Sequence, residues 1–193
     1  NYTFTDAAGN KSDKKEVTVT VKIAPRDITV TWPSKNTFRF GETIEFEGTT
    51  DGILECDENT TVKTTLPKIE KTGTFTAVAD VEDANYNIAA GKTADLIITD
   101  GEAEVTAYAA YEAEASSLVY NGEAQTLVGV KAENVKGIKY HVTKKEDPEF
   151  VLDTEELPAA VNAGEYTVTC TFTAADNYTF TDAAGNKSDK KEV

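Results

Sequence analysis

The sequence predicts an all-β fold, two tandem β-sandwich domains set end to end, with the N-terminal segment as a strand completing a neighbouring unit. Three observations lead there. Apolar residues alternate with threonine at a period of two, as in Tyr166, Val168, Cys170 and Phe172 against Thr167, Thr169, Thr171 and Thr173, the pattern of half-buried strands. No long stretch carries a helical stripe. Residues 1–17, NYTFTDAAGNKSDKKEV, return unchanged as residues 177–193, an offset of 176 residues, so the chain reads as a window onto a tandem array.

Taken in order, residues 1–23 read as the closing hairpin and strand of a preceding repeat, in which Val17, Val19, Val21 and Ile23 alternate with Thr18, Thr20 and Lys22. A first sandwich follows over residues 24–100 and a second over residues 101–193. A weaker internal repeat relates them. VTVKIAPRDITVTW (residues 19–32) lies over LIITDGEAEVTAYA (residues 96–109), and GTFTAVADVEDANYNI from Gly73 over GEYTVTCTFTAADNYTF from Gly164. The pairs Asn1-Tyr2, Asn85-Tyr86 and Asn177-Tyr178 are thereby equivalent. Turn signals divide each unit into seven strands, in the second near residues 104–107, 118–120, 124–130, 137–143, 151–157, 165–174 and from about 190 onward. Residues 108–117, rich in Ala and Glu, read as a connection with room for a helical turn.

An odd number of strands brings the chain in at one pole of a sandwich and out at the other, so successive units stack. The joints, Ala24-Pro25-Arg26 and Asp100-Gly101-Glu102, are short and lack Gly/Ser runs, and Pro25 fixes its own φ. A semi-rigid rod follows, each unit roughly 30 to 40 Å long. In the 176-residue register, the second unit lacks most of its closing strand, while residues 17–23 belong to the unit upstream. Val17, Val19, Val21 and Ile23 are therefore expected to complete the second unit of another copy, head to tail.

LVYNGEAQTLV (residues 118–128) and NAGEYTVTCTFTAADNY (residues 162–178), followed by a Val/Thr strand leading into the next unit, resemble the tandem immunoglobulin-like and MBG-type repeats of bacterial cell-surface adhesins. The resemblance implies two Ig-like sandwiches, an extracellular, cell-surface location and a stalk that carries a distal binding domain. Tyr166, two residues ahead of inward Val168, matches the position of the tyrosine that ties a loop to the sheet in Ig-like sandwiches. Phe75 takes that place in the first unit and has no hydroxyl. The first unit also has Phe40-Gly41 where the second has Tyr120-Asn121-Gly122. A β-grasp fold is the rival architecture.

Nineteen Lys and Arg against 34 Asp and Glu give a formal charge of −15, which opposes binding to nucleic acid or an anionic membrane surface. No transmembrane span or signal peptide is present in the sequence. Cys56 and Cys170 fall in separate units and read as small core residues. His141, the one histidine, sits on the outer face of its strand, and Trp32 shares a face with Ile28 and Val30. Acidic loop residues fit no EF-hand spacing, and no cofactor is expected. The weak Ca²⁺ candidates are Asp100, Glu102, Asp182 and Asp189, brought together if the last hairpin faces the joint. Lys22, Lys63 and Lys139 point outward, which disfavours an internal Lys-to-Asn cross-link. With no paired acid and base and no activated nucleophile, the expected function is mechanical: a non-catalytic spacer whose partners are other copies of the repeat. The alternative is a carbohydrate-binding module with Tyr108 or Tyr111 as a platform for host or microbial glycans.

Overall fold

The computed structural model describes residues 2–111 and 117–193, and these form an all-β chain of several sheets, with a single 3-10 turn at Glu55–Asp57. No helix among the described residues is long and apolar enough to cross a membrane. At the N-terminus β1 (Phe4–Thr5) and β2 (Lys11–Ser12) pair as a small hairpin. Its turn is locally determined. Asp6 Oδ1 accepts from the N–H groups of Ala8 (2.9 Å) and Asn10 (2.8 Å), and Gly9 supplies a φ of 85°, an Asx-type turn that needs a residue without Cβ at its left-handed position.

A first set of strands comprises β3 (Arg26–Thr31), β4 (Thr37–Arg39), β5 (Thr49–Asp51), β6 (Val62–Thr65), β7 (Gly73–Val81), β8 (Tyr86–Ala90) and β9 (Thr93–Thr99). They make two sheets, ordered β5-β3-β8 and β4-β9-β7-β6, with β3–β8 and β4–β9 parallel. The alternating pattern places Ile28 and Val30 of one sheet, and Phe38, Ala77, Leu96 and Ile98 of the other, in buried positions. Phe46 fills the core beside them, and Trp32 stacks on it at 5.2 Å while its Nε1 donates to the Gly91 carbonyl at 2.7 Å. Gly91 is what lets the chain pass from β8 into β9, which belongs to the other sheet. Its φ is 74°, and a Cβ there would lie 1.8 Å from the Val30 carbonyl oxygen.

The second set comprises β10 (Gly101–Glu102), β11 (Glu104–Ala109), β12 (Gln125–Thr126), β13 (Val128–Glu133), β14 (Val135–Lys144), β15 (Asp147–Thr154), β16 (Ala159–Ala160), β17 (Tyr166–Ala174), β18 (Tyr178–Thr181), β19 (Lys187–Ser188) and β20 (Lys190–Glu192). The main sheet is β15-β14-β17-β20, with β11-β13, β10-β18-β19 and β12-β16 around it. Val128, Tyr140, Cys170, Phe172 and Phe180 form its core. Burial pushes the Cys170 thiol up, so it stays protonated and packs as an apolar group.

Backbone pairing fixes how the two sets correspond. Arg26 pairs in parallel with Tyr86, as Gly101 does with Tyr178, and the N–H groups of Arg26 and Gly101 donate to the carbonyls of Asn85 (2.7 Å) and Asn177 (2.9 Å). Arg26 therefore matches Gly101, buried Ile28 matches buried Ala103, and Val21 and Ile23 match Leu96 and Ile98. The alignment of Val19 onto Leu96 expected from the sequence is two residues out of register. A slide of two preserves every inward and outward position, so only the hydrogen-bond partners could expose it.

Only Asp100 separates β9 from β10, and the joint around it is packed. The Tyr178 ring meets Phe40 edge-on at 5.5 Å, and a Cβ on Gly41 or Gly101 would strike it at 2.7 or 2.5 Å. The Thr72 N–H donates to Asn177 Oδ1 at 3.1 Å, and Glu102 accepts from the Thr181 N–H (2.9 Å), the Thr181 hydroxyl (2.8 Å) and Arg39 Nη1 (3.4 Å).

Several sequence expectations are corrected. Residues 118–120 form no strand, because no described strand pairs with their backbone, and the Val119 carbonyl accepts instead from Gln125 Nε2 at 3.0 Å. Residues 17–23 also form none, despite their alternation, and all are exposed. Cys56 is no core residue and lies exposed on the 3-10 turn. In the predicted connection over residues 108–117, β11 continues through Ala109, and residues 112–116 lie outside the described residues. The β18–β19 hairpin, missing from the strands predicted for the second unit although its identical copy in residues 1–23 reads as a closing hairpin, intervenes before β20.

Leu96→Ala is expected to cost about 2–5 kcal/mol in urea unfolding, because its side chain is fully buried. Gly91→Ala should cost more than about 1 kcal/mol, combining a forbidden φ with a backbone collision, whereas Gly137→Ala, which meets nothing within 4 Å, should be close to neutral. Asp182 accepts from Asn186 and Ala184, and the Asn186 side chain, then its backbone, holds the carboxyl below the usual aspartate range. Its stabilisation of the hairpin should be complete above the ordinary Asp pKa and lost as pH falls through the depressed value. Carboxyl carbon shifts followed by NMR during acid titration report this.

Candidate functional site

One edge of β17 is only partly paired among the described residues. On its other edge β14 pairs along the whole strand, from Lys144 opposite Tyr166 to Val135 opposite Ala174. On the open side β20 covers residues 171–173, and Cys170 exchanges hydrogen bonds with Val193 at 2.8 and 3.0 Å. Over residues 166–169 no described strand pairs with this edge. In an antiparallel ladder the mutually bonded pairs recur every second residue, so the N–H and C=O groups of Val168 and Tyr166 point outward here without a strand partner.

Beneath this edge runs a trough of mixed polar and apolar lining. Near Val193 it is lined by Tyr108, Leu127, Val128 and Val168. It continues past Tyr166 toward Gly164, where Tyr111, Leu118 and Tyr120 join the lining. Tyr166 is anchored at this end: its hydroxyl donates to the Asn162 carbonyl at 2.8 Å, the loop-to-sheet bond expected at this position.

In the first set of strands the corresponding edge is occupied. β9 pairs with β7 from Gly73 opposite Ile98 to Val78 opposite Thr93, and the Ala79 N–H donates to the Lys92 carbonyl at 2.8 Å. Leu96 and Ile98, the inward residues of β9, are 0% and 2% exposed. The matching residues of the N-terminal segment, Val21 and Ile23, are 79% and 92% exposed, and Val17 and Val19 are 72% and 75% exposed. Fully burying each would contribute on the order of 1.5–3 kcal/mol as an upper bound.

Tyr108 and Tyr111, the glycan candidates, both line the trough and are half exposed. Tyr108 has one ring face committed, since it lies across Gly129, where a Cβ would approach the ring to 2.4 Å. The calcium candidates are only partly brought together. The last hairpin does face the joint, but through Thr181 on Glu102 and through Lys187 Nζ, 3.8 Å from Asp100. Asp182 is occupied within its own turn, and the Asp189 carbonyl accepts from the Ala174 N–H. Among the described residues no group of three or more His, Cys, Asp or Glu could hold a metal. Lys63 and Lys139 are exposed and pair with Glu82 and Glu155, and His141 faces Asp153 across the sheet at 2.8 Å on the surface. The trough was not apparent from the sequence, because its tyrosines come from β11, β17 and the segments around Tyr111 and Tyr120, which lie far apart in the chain.

A scan against family models, a search of curated proteins and a search of solved structures each return no significant match.

Tyr166→Phe should cost about 0.5–1.5 kcal/mol through loss of the hydroxyl bond while leaving the sheet intact by circular dichroism. Because the joint carboxylates already have protein donors, millimolar Ca²⁺ is expected to move the melting temperature no more than equal Mg²⁺ does in differential scanning calorimetry.

Proposed function

We propose that this chain is a non-catalytic structural repeat, two Ig-like sandwiches in series, forming part of a rod-like stalk of an extracellular bacterial surface protein. The observation that carries the reading is the joint. The closing strand β9 passes through one residue into β10, and Tyr178, Asn177 and Glu102 lock the second set of strands onto Phe40, Thr72 and Arg39 of the first. Such a joint transmits orientation from unit to unit, which a spacer requires and a flexible linker lacks. The identical 17-residue segments support the reading, because duplication of such units adds length. The surface location rests on the resemblance to adhesin repeats.

A second reading, a carbohydrate-binding module, is favoured by the tyrosines Tyr108, Tyr111 and Tyr120 around one trough of mixed polarity. The two differ in what they require of the joint and of Tyr108. Small-angle X-ray scattering of the chain should give an extended, narrow distance distribution. Phe40→Ala combined with Asn177→Ala should broaden it without lowering strand content, and an already broad distribution for the parent chain would refute the spacer reading. On a glycan array, binding lost in Tyr108→Ala would instead support the lectin.

A further inference from the structure

The joint inside this chain and the joint between one repeat and the next are built from different residues. We propose that the first is fixed and the second is a hinge, so that the stalk consists of stiff pairs of sandwiches that bend at every second joint. This rests on the spacer reading and deepens it by saying where the spacer yields.

In the 176-residue register a sandwich of the second type passes through Ala24-Pro25-Arg26 into one of the first type. Three residues that make the internal joint have counterparts at the entry of the first set, and each counterpart is engaged within its own set. Tyr178 is matched by Tyr86, which is 5% exposed; its hydroxyl donates to the Asp57 carboxylate and accepts from the Leu54 N–H at 3.1 Å. Glu102, which reaches Arg39 across the joint, is matched by Asp27, whose carboxylate accepts from Asn87 Nδ2 at 2.9 Å on the same sheet. Gly101 is matched by Arg26, whose Nε donates to the Gly52 carbonyl at 2.7 Å.

A loop present in one set and missing from the other accounts for the difference. Residues 52–61 separate β5 from β6, whereas Asn134 alone separates their counterparts β13 and β14. The long loop carries the 3-10 turn, is tied to the Asp83 carboxylate by the Thr60 hydroxyl at 2.9 Å, and holds Tyr86 through Leu54 and Asp57. With no such loop to hold it, the Tyr178 ring crosses to Phe40. Side-chain size at the entry acts in the same direction. Gly101 has no left-handed φ to satisfy, so what it supplies is room: a Cβ there would lie 2.5 Å from both the Phe40 carbonyl oxygen and the Tyr178 ring. An arginine at the matching place excludes the same clasp. The receiving loop differs too, because Val119 precedes Tyr120 where Arg39 precedes Phe40. No guanidinium stands there to meet a carboxylate from the next sandwich.

Nitroxide labels on Lys63→Cys and Lys139→Cys, matching exposed positions of the two sets, report on both joints, with Cys56→Ser as background. In the full chain this pair spans the internal joint. In a chain extended after Val193 by a second copy of residues 18–193, Lys139→Cys and Lys63→Cys of the appended copy span the joint between repeats. Double electron–electron resonance is expected to give a distance distribution at least about twofold wider for the second pair than for the first. Gly101→Arg should widen the internal pair to the same breadth with strand content unchanged by circular dichroism, and Gly101→Ala, a smaller intrusion, should widen it by an intermediate amount. Two equally narrow distributions overturn the hinge and leave the spacer reading standing, whereas two equally broad ones remove both. An internal pair that stays narrow in folded Gly101→Arg also overturns the proposal, since the room at that glycine would then not decide which joint is fixed.

Discussion

The need to satisfy both edges of a long central strand governs this structure. β7 is flanked by β6 over residues 78–81 and by β9 over residues 73–78, and β17 by β14 along its length and by β20 over residues 171–173, so that backbone groups on both edges find partners. From its place beside β7, β9 then runs straight into the next set. One strand thus serves two purposes: it completes the core behind it through Leu96 and Ile98 and delivers the chain to the core ahead. Folding of one unit and placement of its neighbour are consequently coupled through a single stretch of backbone.

The duplicated segment separates what local sequence determines from what packing determines. Residues 4–12 and 180–188 have the same sequence and the same hairpin, with Asp6 and Asp182 accepting from equivalent N–H groups at matching distances. Their surroundings differ completely. Phe180 is 3% exposed against the core and Phe4 is 53% exposed. The turn is therefore self-sufficient, whereas Val17, which follows it, has no sheet to join, and its twin Val193 pairs with Cys170. Alternation gives a segment the capacity to be a strand; a neighbouring edge makes it one.

This explains which parts of the fold were legible in the sequence. Strands with a strong period-two pattern, such as residues 137–143 and 165–174, form close to where the pattern puts them, with Tyr140, Val142, Cys170 and Phe172 buried and His141 outside. The hydroxyl bond of Tyr166 was an expectation of the resemblance to Ig-like sandwiches, since the strand period places the ring but not the partner of its hydroxyl. Cys56 was not, since a lone small apolar residue between acidic neighbours has no periodic context. Nor was the trough, assembled from Tyr108, Tyr111, Tyr120 and Tyr166, which are brought together only by tertiary packing. The two-residue slip in the internal alignment has the same root: side-chain pattern is blind to any even shift, while hydrogen bonds are not.

The parallel pairing of β3 with β8 and of β4 with β9 has a consequence for a molecule under tension. A pull on the two ends of the first set enters through β3 and β9 and drags β3 toward its start and β9 toward its finish, each along a parallel neighbour. Parallel neighbours dragged oppositely slide along one another, so their hydrogen bonds resist as a bank and break together, where a hairpin pulled open from its end would yield rung by rung. The strand order thus stiffens the first set of strands along the line that joins its two ends.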